Sequence, residues 1–343
     1  MNAANSSNCI VAGGGPAGLT IARLLSLKGW HVVVAAGEAR TVNRLELLAP
    51  AAHRTITALG LDGLLEDPSI ARPCLGIRRP DTRTEFEDFM RHPVGQGHIV
   101  DRVRFDDCHR RAAITAGAQI LPLRVIGFTP DGAALRVRDP AGRDDVLTAP
   151  GNVIDATGRA AAIARRRGAS IAFRDRMVAE LIESLVDAGE PDEPSWLEYR
   201  GGADGWSYTV RGPAGSVQTW RVRRGGAIGS EVLRRVDASA CILSRAAGKG
   251  WIAVGDAAMS FDPIASQGLF NALSSGLAAA GLLSVGEGLT DATAEAWSGT
   301  VAATFLHSEA GRAGMTGDAL PVQPVTDISS GRSLAGRQAF MGR

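Results

Sequence analysis

The chain has 343 residues, 45% of them apolar and 21% charged, which excludes a disordered polypeptide and leaves room for about two or three domains. A formal net charge of +1 supplies no overall field for nucleic acid or an anionic membrane, so neither is an expected partner. Two of the 37 basic residues are lysine, Lys28 and Lys249, so any lysine chemistry has only two candidates.

Residues 8–12 read as a short buried strand that runs into Gly13-Gly14-Gly15-Pro16-Ala17-Gly18. A helical pattern follows to Leu27 and stops at Gly29, and a second strand spans Trp30 to Ala35. Residues 50–66 look helical and end at Asp67-Pro68. Residues 75–98 read as strands and loops, and 105–116 as a helix. Strands are expected near 118–121, 134–138 and 152–155, then a β-rich stretch from 166 to 224. Trp251 to Val254 is another short buried strand. The 21 residues from Ser266 to Gly286 carry no charge, but Gln267, Asn271, Ser274 and Ser275 favour a buried helix over a membrane span. The last 50 residues show little regular signal. The expected fold is α/β: a Rossmann-type dinucleotide-binding domain with a parallel sheet, interleaved with a β-sheet substrate domain. The first is drawn from 1–75, 98–165 and 236–290, the second from 76–97 and 166–235, and 291–343 form a C-terminal segment. Four scattered cysteines give no zinc spacing, so no metal is expected, and the N-terminus lacks a basic leader. A reduced, cytoplasmic compartment is the expectation.

Gly13-x-Gly15-x-x-Gly18 lies between a strand and a helix, the setting a dinucleotide loop requires. The first glycine makes the turn, the second admits a pyrophosphate and the third lets the helix pack on the strand. The helix N-terminus then attracts the anion. The acid expected at the end of the second strand is absent from Ala35-Ala36, and the next acid is Glu38. Glu38 binds a ribose if the turn bulges and is a solvated loop residue otherwise.

Gly13 to Leu19 resembles the FAD fingerprint of the aromatic-hydroxylase flavoprotein superfamily. Trp251-Ile252-Ala253-Val254-Gly255-Asp256-Ala257-Ala258, followed by Asp262-Pro263-Ile264-Ala265-Ser266-Gln267-Gly268, carries the same resemblance. It implies that Gly255 and Asp256 meet the ribityl chain, and that Pro263, Gln267 and Gly268 pass the flavin ring. A helix start at Gly268 would stabilise the negative charge of a reduced flavin. Asp155-Ala156-Thr157-Gly158-Arg159 is similar to the strand-end motif of the tryptophan-halogenase-like branch, which implies cofactor roles for Asp155 and Gly158. This differs from the Asp-Gly motif of hydroxylases that bind NAD(P)H directly. Electrons would come from NAD(P)H either directly or through a separate flavin reductase. Arg102, within Asp101–Asp106, and Arg44 resemble further FAD contacts, although Leu45 replaces a usual glycine. Within the branch, the wording around 206–210 and 261–273 is most similar to flavoproteins that hydroxylate a protein tryptophan during tryptophylquinone cofactor maturation.

The resemblance implies an FAD-dependent monooxygenase that hydroxylates an electron-rich aromatic group through a flavin C4a-hydroperoxide. The substrate would be an aromatic small molecule or a tryptophan-containing peptide or protein. Halogenases of this branch need a lysine in the region here occupied by Cys74 to Pro80, and none is present. Arginine is a poor substitute, being planar and delocalised. His98 and Asp262 are the candidates to take the proton released as aromaticity returns. Trp206 and Tyr208 are candidates to line the substrate pocket. A flavin-dependent halogenase and a non-catalytic FAD-binding module are the competing readings.

Overall fold

The computed structural model describes residues 9–37, 43–79, 86–93, 95–129, 134–148, 152–186, 194–202, 205–225, 231–285 and 289–316. Glu38 lies outside them. The strand Cys9–Ala12 is buried throughout because parallel strands flank it on both sides, Val32–Ala35 and Asn152–Asp155. Gln119–Leu121 extends one flank and Trp251–Ala253 the other, both parallel. Ala247–Gly248 closes the edge antiparallel. Short unbroken apolar runs suit strands covered on both faces. The strand order reverses at Cys9–Ala12, so a crevice opens at its carboxyl end, where open α/β sheets bind ligands.

A second, nine-stranded sheet is almost wholly antiparallel. Its path runs Arg234–Asp237, Met177–Val186, Ser216–Arg224, Gly205–Arg211, Ser195–Gly202, Ala71–Arg78, Gly97–Asp101 and Leu45–Leu48, with Phe86–Asp88 pairing beside Ala71–Arg78. Only Ser195–Gly202 and Ala71–Arg78 pair in parallel. The expected α/β architecture is therefore present: a parallel sheet and a separate β-sheet layer. Pairing cuts across the sequence segments, since 45–48, 71–75 and 98–101 join this second sheet.

The uncharged stretch forms the helix Gly268–Ser284, and its small residues have a packing reason. A Cβ at Gly276 would stand 2.8 Å from the Ala17 carbonyl oxygen and 2.9 Å from Thr20. Only glycine lets this helix lie so close to the helix Pro16–Leu27. No helix among the described residues is long and apolar enough to cross a membrane. The C-terminal segment, which shows little regular signal in the sequence, contains a 26-residue helix, Asp291–Thr316. Its weak signal reflects the many Ala, Gly and Thr residues. Its buried positions Ala294, Trp297, Val301 and Phe305 nevertheless recur at helical spacing. Residues 50–66 are likewise interrupted, with helices at His53–Ala58 and Gly63–Glu66 around a left-handed Gly60.

Candidate functional site

One cavity lies between the crevice of the parallel sheet and the inner face of the second sheet. The three loop glycines behave differently around it. Gly13 has φ +114°, and a Cβ there would stand 2.1 Å from the Ala156 carbonyl oxygen. A Cβ at Gly18 would stand 2.1 Å from the Gly13 carbonyl oxygen. Both are packing glycines. A Cβ at Gly15 meets nothing within 4 Å, because that side of the loop is open to the cavity. Gly15, Pro16 and Ala17 line it at the start of the helix Pro16–Leu27, which has no side-chain cap and no acid in its first turn. The helix Gly268–Ser284 starts on the same cavity at Gly268, again with no side-chain cap and no acid in its first turn. Two uncapped helix N-termini facing one cavity offer it two partial positive charges. That suits a ligand with two separated anionic positions, as a flavin dinucleotide has in its pyrophosphate and its reduced ring.

Side chains add charge between them. Arg102 binds Asp106 through two nitrogens at 3.0 and 3.2 Å and Glu46 at 2.7 Å, and Arg44 pairs with Glu46. Burial pushes the Glu46 carboxyl up, but Arg102 and Arg44 outweigh it and hold the group below the usual glutamate range. Asp256 faces the cavity with Arg159 at 3.9 Å, and burial pushes its carboxyl up against that cation. Gly158, left-handed at φ +64°, also lines the cavity, and no protein atom lies within 4 Å of its Cβ position.

The opposite wall is aromatic. Tyr208 sits across from Tyr199 on one neighbouring strand and from Trp220 on the other. Trp206 is two residues before Tyr208 and so shares its face. Ring centroids are 5.8 Å apart for Tyr199 and Trp206 and 5.6 Å for Trp206 and Tyr208. Burial raises the Tyr208 phenol, which stays protonated and neutral. Arg79 stands at this wall, bound to Glu87 at 2.8 Å and 6.0 Å from the Tyr199 ring.

Asp262 lines the cavity and is buried. Its Oδ1 accepts from the Ile264 amide at 2.9 Å, while Oδ2 lies 3.8 Å from Arg312. Burial pushes its carboxyl up, with the Ile264 amide pulling the other way. Pro263 also reaches the cavity. Gln267 does not line it. Its side-chain oxygen accepts from the Ser308 hydroxyl at 3.0 Å and ties the loop to the C-terminal helix.

Other sequence candidates stand elsewhere. His98 is not at the cavity: its neighbour Ile99 takes the inner face opposite Leu47, while His98 lies against His53, Nδ1 to Nε2 3.1 Å. Burial and then His53 push the His98 imidazole down to about 4, so it is neutral near pH 7. Asp155 is fully buried behind the crevice. Oδ1 accepts from the Thr157 amide and hydroxyl, at 3.1 and 2.6 Å. Oδ2 accepts from the Ile163 and Ala164 amides, at 2.9 and 2.8 Å. It ties down the turn and the short helix Ala162–Arg166 rather than facing a ligand. Asp155→Asn is expected to lower stability by about 2 kcal/mol, read by denaturant unfolding, since one side of the amide cannot accept. Gly255 is another packing glycine: φ is +58° and its Cβ would stand 2.9 Å from Ala17. Arg159, Tyr199 and Trp220 line the cavity without having been singled out in the sequence. Arg159 adjoins the Gly158 motif and was within reach, whereas the two aromatics arrive through strand register. Among the described residues no group of three His, Cys, Asp or Glu could hold a metal ion.

These features define a dinucleotide-type crevice roofed by an aromatic-faced sheet. No protein-family model matches the chain, and no curated protein matches it by sequence. Solved structures match by fold. A flavin-dependent brominase superposes with a TM-score of 0.68 at 18% identity, covering 88% of this chain and 83% of its own. A peptidyl tryptophan dihydroxylase essential for tryptophylquinone cofactor biogenesis gives 0.64 at 24% identity, over 80% of this chain and 66% of its own. A Diels-Alderase of pyrroindomycin biosynthesis gives 0.71 at 16% identity, over 96% and 74%. The chain therefore has the fold of the flavin-dependent halogenases and hydroxylases, a fold that also serves other chemistry.

Proposed function

We propose that the chain is an FAD-dependent monooxygenase that hydroxylates an electron-rich aromatic ring, with a tryptophan side chain in a peptide or protein as the substrate class. The observation that carries this reading is the aromatic wall of Tyr199, Trp206, Tyr208 and Trp220 facing two uncapped helix N-termini across one cavity. The open side of Gly15 and the amides beginning Pro16–Leu27 would hold the pyrophosphate. Asp256 would accept hydrogen bonds from the ribityl hydroxyls. The amides at Gly268 would face the part of the flavin that gains negative charge on reduction. Bound FAD supplies the activation of O₂, and its reduction would draw on NAD(P)H or a separate flavin reductase.

The chain's own residues would orient the substrate and exclude water. Apolar and aromatic side chains keep that half of the cavity dry, which protects a reactive oxidant. A second aromatic ring gains about 0.5–1.5 kcal/mol from stacking or edge contact against such a wall, beyond its burial. Asp262 is the one acid on the loop between the two halves, and its Oδ2 would take the proton lost as the ring regains aromaticity.

The test supplies the purified protein with chemically reduced FAD, O₂ and a tryptophan-containing peptide. A mass gain of one or two oxygen atoms is expected. A second reading, halogenation, is favoured by the fold shared with the brominase. Against it stands the cavity lining, where the cations among the described residues are Arg44, Arg79, Arg102 and Arg159 and there is no lysine. Lys28 follows the helix Pro16–Leu27, and Lys249 lies in the turn before Trp251–Ala253. Efficient halide incorporation when chloride or bromide is added to the same reaction would overturn hydroxylation.

A further inference from the structure

In a Rossmann sheet the adenosine half of a dinucleotide meets the end of the second strand, usually through an acid that hydrogen-bonds the ribose. Here that strand ends in Ala35 and Ala36, both buried and without a polar side-chain atom. A charged group reaches the same spot from another element. Arg110 projects from the helix Arg102–Thr115, and its Nη2 lies 3.4 Å from where a Cβ on Gly14 would stand. The Ala36 Cβ lies 2.6 Å from that same point. The guanidinium, the phosphate loop and the strand end therefore meet.

Three other arginines of this region, Arg23, Arg44 and Arg102, are committed to the protein, and Arg124, beside Gly37, is exposed. Arg23 donates to the Leu59 carbonyl, Arg44 pairs with Glu46, and Arg102 binds Glu46 and Asp106. Arg110 is half-buried and makes no hydrogen bond or ion pair among the described residues. A half-buried guanidinium without a carboxylate partner among the described residues is well placed to take an anion, and its flat fork of donors matches phosphate and a ribose diol.

We propose that Arg110 holds the adenosine half of the dinucleotide, donating to its phosphate and ribose oxygens in place of the usual strand-end acid. This assignment rests on the FAD reading above and adds to it the residue that distinguishes FAD from shorter flavins. FMN and riboflavin share the isoalloxazine ring and ribityl chain but lack adenosine.

The test titrates the full chain and its Arg110→Met variant with FAD, FMN and riboflavin, followed by flavin fluorescence. FAD affinity is expected to fall about tenfold or more in the variant, while FMN and riboflavin affinities stay unchanged. Arg110→Lys keeps the charge without the fork and is expected to recover part of the loss, which guards against a folding defect. Unchanged FAD affinity overturns the assignment, and so does an equal fall for FMN. If the unaltered chain binds no FAD, the FAD reading itself fails, and this assignment with it.

Discussion

Gly15→Val is expected to give a folded protein that no longer retains flavin. The backbone at Gly15 is extended, with φ −82° and ψ 179°, which any residue adopts. No protein atom lies within 4 Å of its Cβ position, so the valine methyls would occupy only cavity. That cavity is the space assigned to the pyrophosphate. A loss of at least 100-fold in FAD affinity, about 2.7 kcal/mol, is expected, with the melting temperature of the flavin-free protein unchanged. Gly13→Ala and Gly18→Ala should behave oppositely. Their new methyl groups would meet carbonyl oxygens at 2.1 Å, so the flavin-free protein itself should melt lower. Absorbance after gel filtration and thermal melts of the flavin-free proteins separate the two outcomes. Normal FAD binding by Gly15→Val would remove the loop from the proposed site.

Arg102→Met is expected to cost about 3–5 kcal/mol, because it leaves Glu46 and Asp106 partly buried with much of their charge uncompensated. The pH dependence carries the sign. In the unaltered protein Glu46 has a depressed carboxyl, so its contribution is present above the ordinary glutamate range. It is lost as pH falls through the depressed folded value. Asp106 already lies above the usual range because of its burial, with Arg102 opposing. Without Arg102, burial pushes both carboxyls up and both favour protonation in the folded state. The gap in stability between the two proteins should therefore be widest near about pH 7 and narrow toward about pH 4. Urea unfolding at several pH values measures it. A gap that does not change with pH would mean that the lost packing of the arginine stem, not its charge, sets the cost.

What the sequence made legible was local backbone chemistry. The spacing of Gly13, Gly15 and Gly18 identified the loop, although only contacts separate the open glycine from the two packed ones. Gly268 was read as a helix start and is one. The Asp155 motif was visible, but its partners lie eight and nine residues further on, and only folding shows that their amides consume the carboxylate. His98 stands four residues before Arg102, but sequence nearness does not set direction. Strand alternation decides its direction, and a one-residue step sends a side chain to the other face. Tyr199 and Trp220 reach the cavity by pairing across Tyr208, and cross-strand partners leave no local trace. The bounds of the C-terminal helix were not legible because its composition is weak, though its buried positions repeat every three or four residues.

The loop from Phe261 to Gln267 is fastened from far along the chain. Phe305 stacks on Phe261 with centroids 6.3 Å apart, Ser308 holds Gln267, and Arg312 approaches Asp262. The crevice thus joins Gly15 near one end of the described residues to a loop braced by residues near the other. Contacts of such sequence separation form late, after most of the chain's freedom has been lost. A ligand that needs both ends would therefore recognise only the completed molecule. Cofactor capture would come last in folding, and the bound dinucleotide would act as a latch, drawing the equilibrium toward chains whose ends have met.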